Sequence, residues 1–148
     1  MAETAQEQSP DLGAQLQEAY ATAQELEQRL TMTSRQLEVI EDLLTEKRQA
    51  RDTVEAWREA SEGDEILIPV GGSTFIPARV AGTDLVIKGV GAGYALEHAP
   101  EKALAALKEE IEALEKDVNT LTASATQLET QLRQVNAYLQ RMQGGQEG

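Results

Sequence analysis

Apolar residues recur along two stretches of the chain in alternating steps of three and four. In the later stretch the steps land on Leu104, Leu107, Ile111, Leu114, Val118, Leu121, Ala125, Leu128, Leu132, Val135, Leu139 and Met142, every one apolar over almost six heptads. In the earlier stretch they visit Leu12, Leu16, Ala19, Ala23, Leu26, Leu30, Thr33, Leu37, Ile40, Leu44, Lys47, Arg51 and Val54, and turn polar only at Thr33, Lys47 and Arg51. A strict seven-residue repeat marks the narrow seam of a coiled coil, not the wider stripe of a helix lying on a globular core. A first helix of roughly 50 residues is a rod of about 75 Å at 1.5 Å per residue. No globule of this size hides such a rod, so it needs a second helix along its length.

Glycine and proline place the boundaries. Residues 1–10 are polar, contain Ser9-Pro10 and are expected to be a disordered tail. From Asp11, a candidate N-cap, the first helix is expected to run over 11–61, interrupted by no proline and only Gly13. Residues 62–99 then hold seven of the eleven glycines and two of the four prolines, which rules out a continuous helix there. The second helix is expected over 100–143, opening on Pro100, whose missing N–H costs nothing in a first turn. Gly144-Gly145 reads as its stop, with 144–148 a second disordered tail.

The middle block alternates β-favouring runs with turn signals. Glu65-Ile-Leu-Ile-Pro-Val and Ser73-Thr-Phe-Ile-Pro-Ala-Arg-Val flank Gly71-Gly72, a hairpin pattern. Leu85-Val-Ile-Lys-Gly-Val and Tyr94-Ala-Leu flank Gly91-Ala-Gly, a second one. Pro69 and Pro77 cannot donate to a ladder, so they belong on edges or at bulges. The expected fold is mostly α: a long antiparallel coiled-coil hairpin with a central pair of β-hairpins. Two hairpins alone are marginal in water, so their apolar runs argue for pairing with other subunits.

If the helices fold back on each other, facing residues have numbers of constant sum, and matching the two repeats gives 158. Leu16 then faces Met142, Ala23 faces Val135, Leu30 faces Leu128, Leu37 faces Leu121 and Leu44 faces Leu114. Thr33 faces Ala125, so two small interior residues coincide. Lys47 and Arg51 fall opposite Ile111 and Leu107, where their stems pack and their charges reach water.

Composition narrows the chemistry. The formal charge is −13, from 26 acidic against 13 basic residues, which repels phosphate backbones and argues against nucleic-acid partners. With no cysteine and one histidine, disulfides, thiolate zinc sites, a cysteine nucleophile and multi-histidine metal sites are excluded. Aromatic residues are only 3% of the chain, too few for an ordinary globular core. No run of apolar residues is long enough to span a bilayer, neither helix has a basic face for a membrane surface, and the first residues lack a leader pattern. A cytoplasmic chain is expected.

Features that invite a catalytic reading have simpler ones. Gly89-Val-Gly-Ala-Gly is not followed directly by a helix, as a dinucleotide loop must be, so the glycines read as turn residues and no cofactor is expected. His98 stands at the start of the second helix, and Trp57 reads as a packing residue where the coiled coil meets the hairpins. Glu25/Glu27 and Glu109/Glu110 read as a solvated helix face, since no pocket separates their acidities. No constellation supports an enzyme.

The stretches Glu65-Ile-Leu-Ile-Pro-Val-Gly-Gly-Ser-Thr-Phe-Ile-Pro-Ala and Val86-Ile-Lys-Gly-Val-Gly-Ala-Gly-Tyr-Ala-Leu-Glu, set between two heptad helices, resemble the hairpin signature of the prefoldin family. Two hairpins, where the beta class has one, are similar to its alpha class, and the resemblance covers about residues 11–143. It implies a chaperone subunit of the kind found in archaea and eukaryotes. Two alpha and four beta subunits would join through their hairpins into a β-barrel platform with six coiled coils hanging from it. The coiled-coil tips would hold non-native polypeptide and deliver it to a group II chaperonin without ATP.

On that reading the client-binding tip residues are Leu12, Leu16, Tyr20, Val135, Tyr138, Leu139 and Met142. The oligomerisation residues are Ile66, Ile68, Phe75, Ile76, Leu85, Val86, Ile87 and Tyr94. Each tip contact would be weak, and grip would come from several tips acting together. The alternative is a structural coiled-coil tether that holds no client, for which a polar-patterned tip would be expected. Such acidity also fits a high-salt cytoplasm, where the Debye length falls to about 3 Å at 1 M and self-repulsion is screened.

Overall fold

A computed structural model describes residues 9–147; residues 1–8 of the expected N-terminal tail and Gly148 lie outside this range. The element order is α1 (Ser9–Arg58), β1 (Glu65–Gly71), β2 (Thr74–Arg79), β3 (Val86–Gly91), β4 (Tyr94–His98) and α2 (Pro100–Glu147). Two long helices enclosing two antiparallel strand pairs are the fold expected from the heptads and turns.

The helix ends differ from the sequence reading. Helix α1 begins at Ser9, so Asp11 lies inside the first turn, where its carboxylate meets the positive end of the helix dipole, and does not cap it. It ends at Arg58, because the Ala60 N–H turns back to the Trp57 carbonyl and the Ser61 N–H is taken by Asp64 Oδ2 at 2.9 Å. Helix α2 opens at Pro100, with the Lys102 and Ala103 N–H groups both donating to the Ala99 carbonyl. It runs through Gly144-Gly145 to Glu147, past the expected stop. Glycine in a helix costs only about 1 kcal/mol, and Gly144 keeps helical backbone instead of making the left-handed turn a cap requires.

The chain forms two compact units, and both helices contribute to each. The first joins residues 9–40 and 117–147 through the coiled-coil seam. Every heptad position here is buried or half-buried except Leu12, and the best-covered are Ala23, Leu26, Leu128 and Leu139. Thr33 occupies its seam position without an orphaned hydroxyl, because its Oγ1 donates to the Arg29 carbonyl at 2.9 Å. The Gln143 side-chain amide donates to the Tyr20 hydroxyl across the helices.

The second unit is Glu41–Lys116. Its helical core is Leu44, Ala103, Leu107 and Ile111, with Lys47, Arg51, Val54 and Trp57 half-buried in line with them. Lys47 pairs with Glu110, the neighbour of the Ile111 expected to face it, and Arg48 reaches further along to Glu115. Strands β1 and β2 pair antiparallel with Ile68 opposite Ile76 and Pro69 opposite Phe75; β3 and β4 pair with Lys88 opposite Leu96 and Val86 opposite His98.

The two hairpins turn the same way. Gly72 and Ser73 have φ of 56° and 56°, and Ala92 and Gly93 have 53° and 79°. Two successive positive φ values match the right-handed twist of the strands. Gly71 and Gly91, at 104° and 99°, sit where each register shifts. The first turn therefore centres on Gly72-Ser73, one residue beyond the Gly-Gly pair. Val80, 3% exposed, anchors the β1–β2 end: its N–H donates to the Asp64 carbonyl and its carbonyl accepts from Gly63.

Candidate functional site: an open apolar hairpin surface and a coiled-coil end

Side chains alternate faces along a strand, so residues directly paired across a hairpin share a face. Ile66 and Ile68, with Ala78 and Ile76, form one face of the first hairpin; Leu67 and Pro69, with Pro77 and Phe75, form the other. A sheet lying on a core would bury one of these faces. Here Ile68, Ile76, Leu67 and Phe75 are all exposed, the last two at 64% and 55%. In the second hairpin Ile87 and Tyr94 are the most open, at 68% and 74%, Leu85 is also exposed, and Val86 is half-buried. Leu67, Val70, Val90 and Leu96 on these strands are exposed as well and were missed by sequence reasoning. Their signal was present, because the strands are apolar at successive positions, as in sheets covered on both sides.

Where α1 ends, Val54, Trp57 and Ala60 form an apolar cavity of about 640 Å³ with Ile66 and Leu67 of β1 and Leu85-Val86 at the start of β3. Trp57 thus lies where helix and hairpins meet, as its position suggested. Just beyond, Glu110 of α2 lies between two lysines from different elements. Lys88 of β3 donates to its Oε1, while Lys47 Nζ of α1 is 3.0 Å from its Oε2. The second approach is an ion pair, and Oε2 is itself shut off from solvent. Burial would push the Glu110 carboxyl up, but Lys88 and Lys47, by hydrogen bonding and by charge, together hold it below the usual glutamate value. Glu110 is therefore not part of a merely solvated face; Lys47 at a seam position was the clue that an acid would be drawn there.

At the far end of the coiled coil the expected tip residues separate into three groups. Leu12 and Tyr20 are exposed at 40% and 49%. Leu16, Val135, Tyr138 and Met142 are half-buried, and Leu139 is buried at 7% as a seam residue. Val135 and Tyr138 come together with Ala19 along a shallow groove edged by Gln15, Glu18, Thr22 and Gln134. Away from the end, Met32 and Val39 are exposed at 62% and 66%; sequence reasoning missed them because they stand off the heptad positions. Among the described residues no group of acidic or histidine side chains could hold a metal ion, and no helix is long and apolar enough to cross a membrane.

Comparison with known proteins agrees with this arrangement. A family model described as Prefoldin subunit matches residues 26–145. A prefoldin subunit alpha of Methanococcoides burtonii is 29% identical over 93% of this chain and 94% of its own. One of Methanosarcina barkeri is 31% identical over 85% of each. Among solved structures, filamentous PFD from Methanocaldococcus jannaschii superposes with a TM-score of 0.65 at 20% identity, covering 80% of this chain and 98% of that one, a likeness of fold alone.

Proposed function

The chain belongs to the prefoldin family of chaperone subunits, in its alpha-subunit branch, and on that premise we propose that it works as one arm of an ATP-independent holdase. Its hairpins join beta subunits in a hexamer of two alpha and four beta chains. Its coiled-coil end holds non-native polypeptide for delivery to a group II chaperonin.

The observation that carries the assembly half is the exposure of apolar side chains on both faces of the β1–β2 hairpin and on the Ile87 face of β3–β4. Isolated two-stranded ladders are marginal, and apolar residues on both sides are stabilised only when other strands cover them. Client holding is supported by the chemistry of the far end. Leu12 and Tyr20 are exposed there, Tyr138 and Met142 are half-covered, and a flexible thioether with amphipathic rings adapts to varied apolar segments. Leu139, buried in the seam, supports the end instead of offering contact.

The test is light scattering of a chemically unfolded protein diluted into the assembled complex. A second complex, with residues 1–20 and 136–148 removed from this chain, is run at matched salt. Suppression of aggregation by the intact complex and weaker suppression by the trimmed one is the expected result. Equal suppression would move client contact to other chains or to the helix flanks. No suppression by an intact oligomer would favour the tether.

A further inference from the structure

The two hairpins are fixed at their bases by different means. The first is held through backbone hydrogen bonds between Val80 and Gly63-Asp64 and by the buried Val80 side chain. The second carries Lys88, whose ammonium reaches Glu110 on α2, and Glu110 in turn meets Lys47 on α1. Three separate elements thus converge on one carboxylate. In a chain of charge −13, two of only five lysines are committed to it.

The strand register shows what this contact decides. Lys88 and its partner Leu96, with Val86 and its partner His98, share one face of the hairpin. Three of those four, Lys88, Val86 and His98, are half-buried. Ile87 and its partner Glu97 lie on the other face, and Ile87 is 68% exposed. Holding Lys88 against α2 therefore turns the Ile87 face outward. We infer that Lys47, Glu110 and Lys88 form an electrostatic latch that fixes which face of the β3–β4 hairpin meets a partner subunit. This rests on the reading of the hairpins as assembly surfaces.

The Lys88 side chain is 20% exposed, Lys47 31% and Glu110 36%, so the triad is shielded more than a surface ion pair and salt screens it incompletely. Neutralising Glu110 does more than remove an attraction. It leaves two ammonium groups facing each other across an uncharged amide, and that repulsion drives the hairpin off. A hairpin freed in this way frays, because two strands without support are marginal. It also uncovers Trp57, the chain's single tryptophan, which shares its cavity with Leu85 and Val86.

The test compares the full-length chain with E110Q and with the charge-reversed triple variant K47E/E110K/K88E. The measurements are hydrogen exchange of each hairpin, Trp57 emission, and oligomer mass with beta subunits. In E110Q the β3–β4 amides exchange roughly three- to tenfold faster, a size set by a few partly shielded charge contacts. The β1–β2 amides stay unchanged, Trp57 emission shifts to the red and the oligomer weakens. The reversed triple variant, with attraction restored in the opposite sense, recovers all of these. Unchanged exchange in E110Q overturns the latch. So does a triple variant that behaves like E110Q, since that would make the site a matter of packing and not charge. Faster exchange with unchanged oligomer mass leaves a latch that holds the hairpin but overturns the assembly reading on which its role depends.

Discussion

Ala92 has φ of 53°, a region where a β-carbon crowds the following carbonyl at a cost of roughly 1–2 kcal/mol, while its neighbour Gly93 bears the same conformation freely. Ala92→Gly should therefore stabilise the β3–β4 turn by about 1 kcal/mol despite the added freedom of the unfolded chain, read as slower hydrogen exchange across that hairpin. Glu110 gives a prediction in pH. Its carboxyl titrates below the ordinary value in the folded chain, so its contribution is fully present above the unfolded-state value and lost as pH falls through the lower, folded one. Trp57 emission should move in that acid range for the native chain, and the part owed to this site should be absent in E110Q. At this scale the sequence was least informative. The composition of Glu109-Glu110 suggested solvent, and only the meeting of α1, α2 and β3 brings two lysines onto one of the pair.

Between elements, burial separates residues of like chemistry. Leu107 is 6% exposed in the seam, whereas Val39, equally apolar and also helical, is 66% exposed. Leu107→Ala should cost about 2–5 kcal/mol through lost burial and the cavity left behind. Val39→Thr should stay within roughly 0.5 kcal/mol. Urea midpoints of the two variants measure the difference. The seam was almost wholly legible in the sequence, because a seven-residue repeat maps directly onto the buried side of each helix: Thr33, Lys47 and Arg51 keep their places despite being polar. Leu12 departs because the end of a coiled coil has no further turn to cover it. The hairpins were legible through their glycines, though not the one-residue offset of the first turn. Either Gly71-Gly72 or Gly72-Ser73 satisfies the composition, and only the register shift after Pro69 selects the second.

For the molecule as a whole, charge and exposed apolar area act in opposite senses. Ile87→Asp should place an unpaired carboxylate in the proposed subunit contact at a cost of about 3–5 kcal/mol, and the oligomer mass should fall while helical content is retained. Thirteen excess negative charges per chain repel across any assembly, so mass measured at rising salt should show tighter association until screening is complete. An oligomer indifferent to salt would remove the high-salt interpretation of the acidity.

The uncovered strands of the hairpins also change what a melting temperature means for this chain. When partners bind only the folded form, mass action adds their binding free energy to its stability, and the midpoint of unfolding climbs with partner concentration. A lone copy is an orphan with sticky strands, the kind of species that quality control removes. Synthesis in step with its partners would then matter to its survival as much as any contact within the chain.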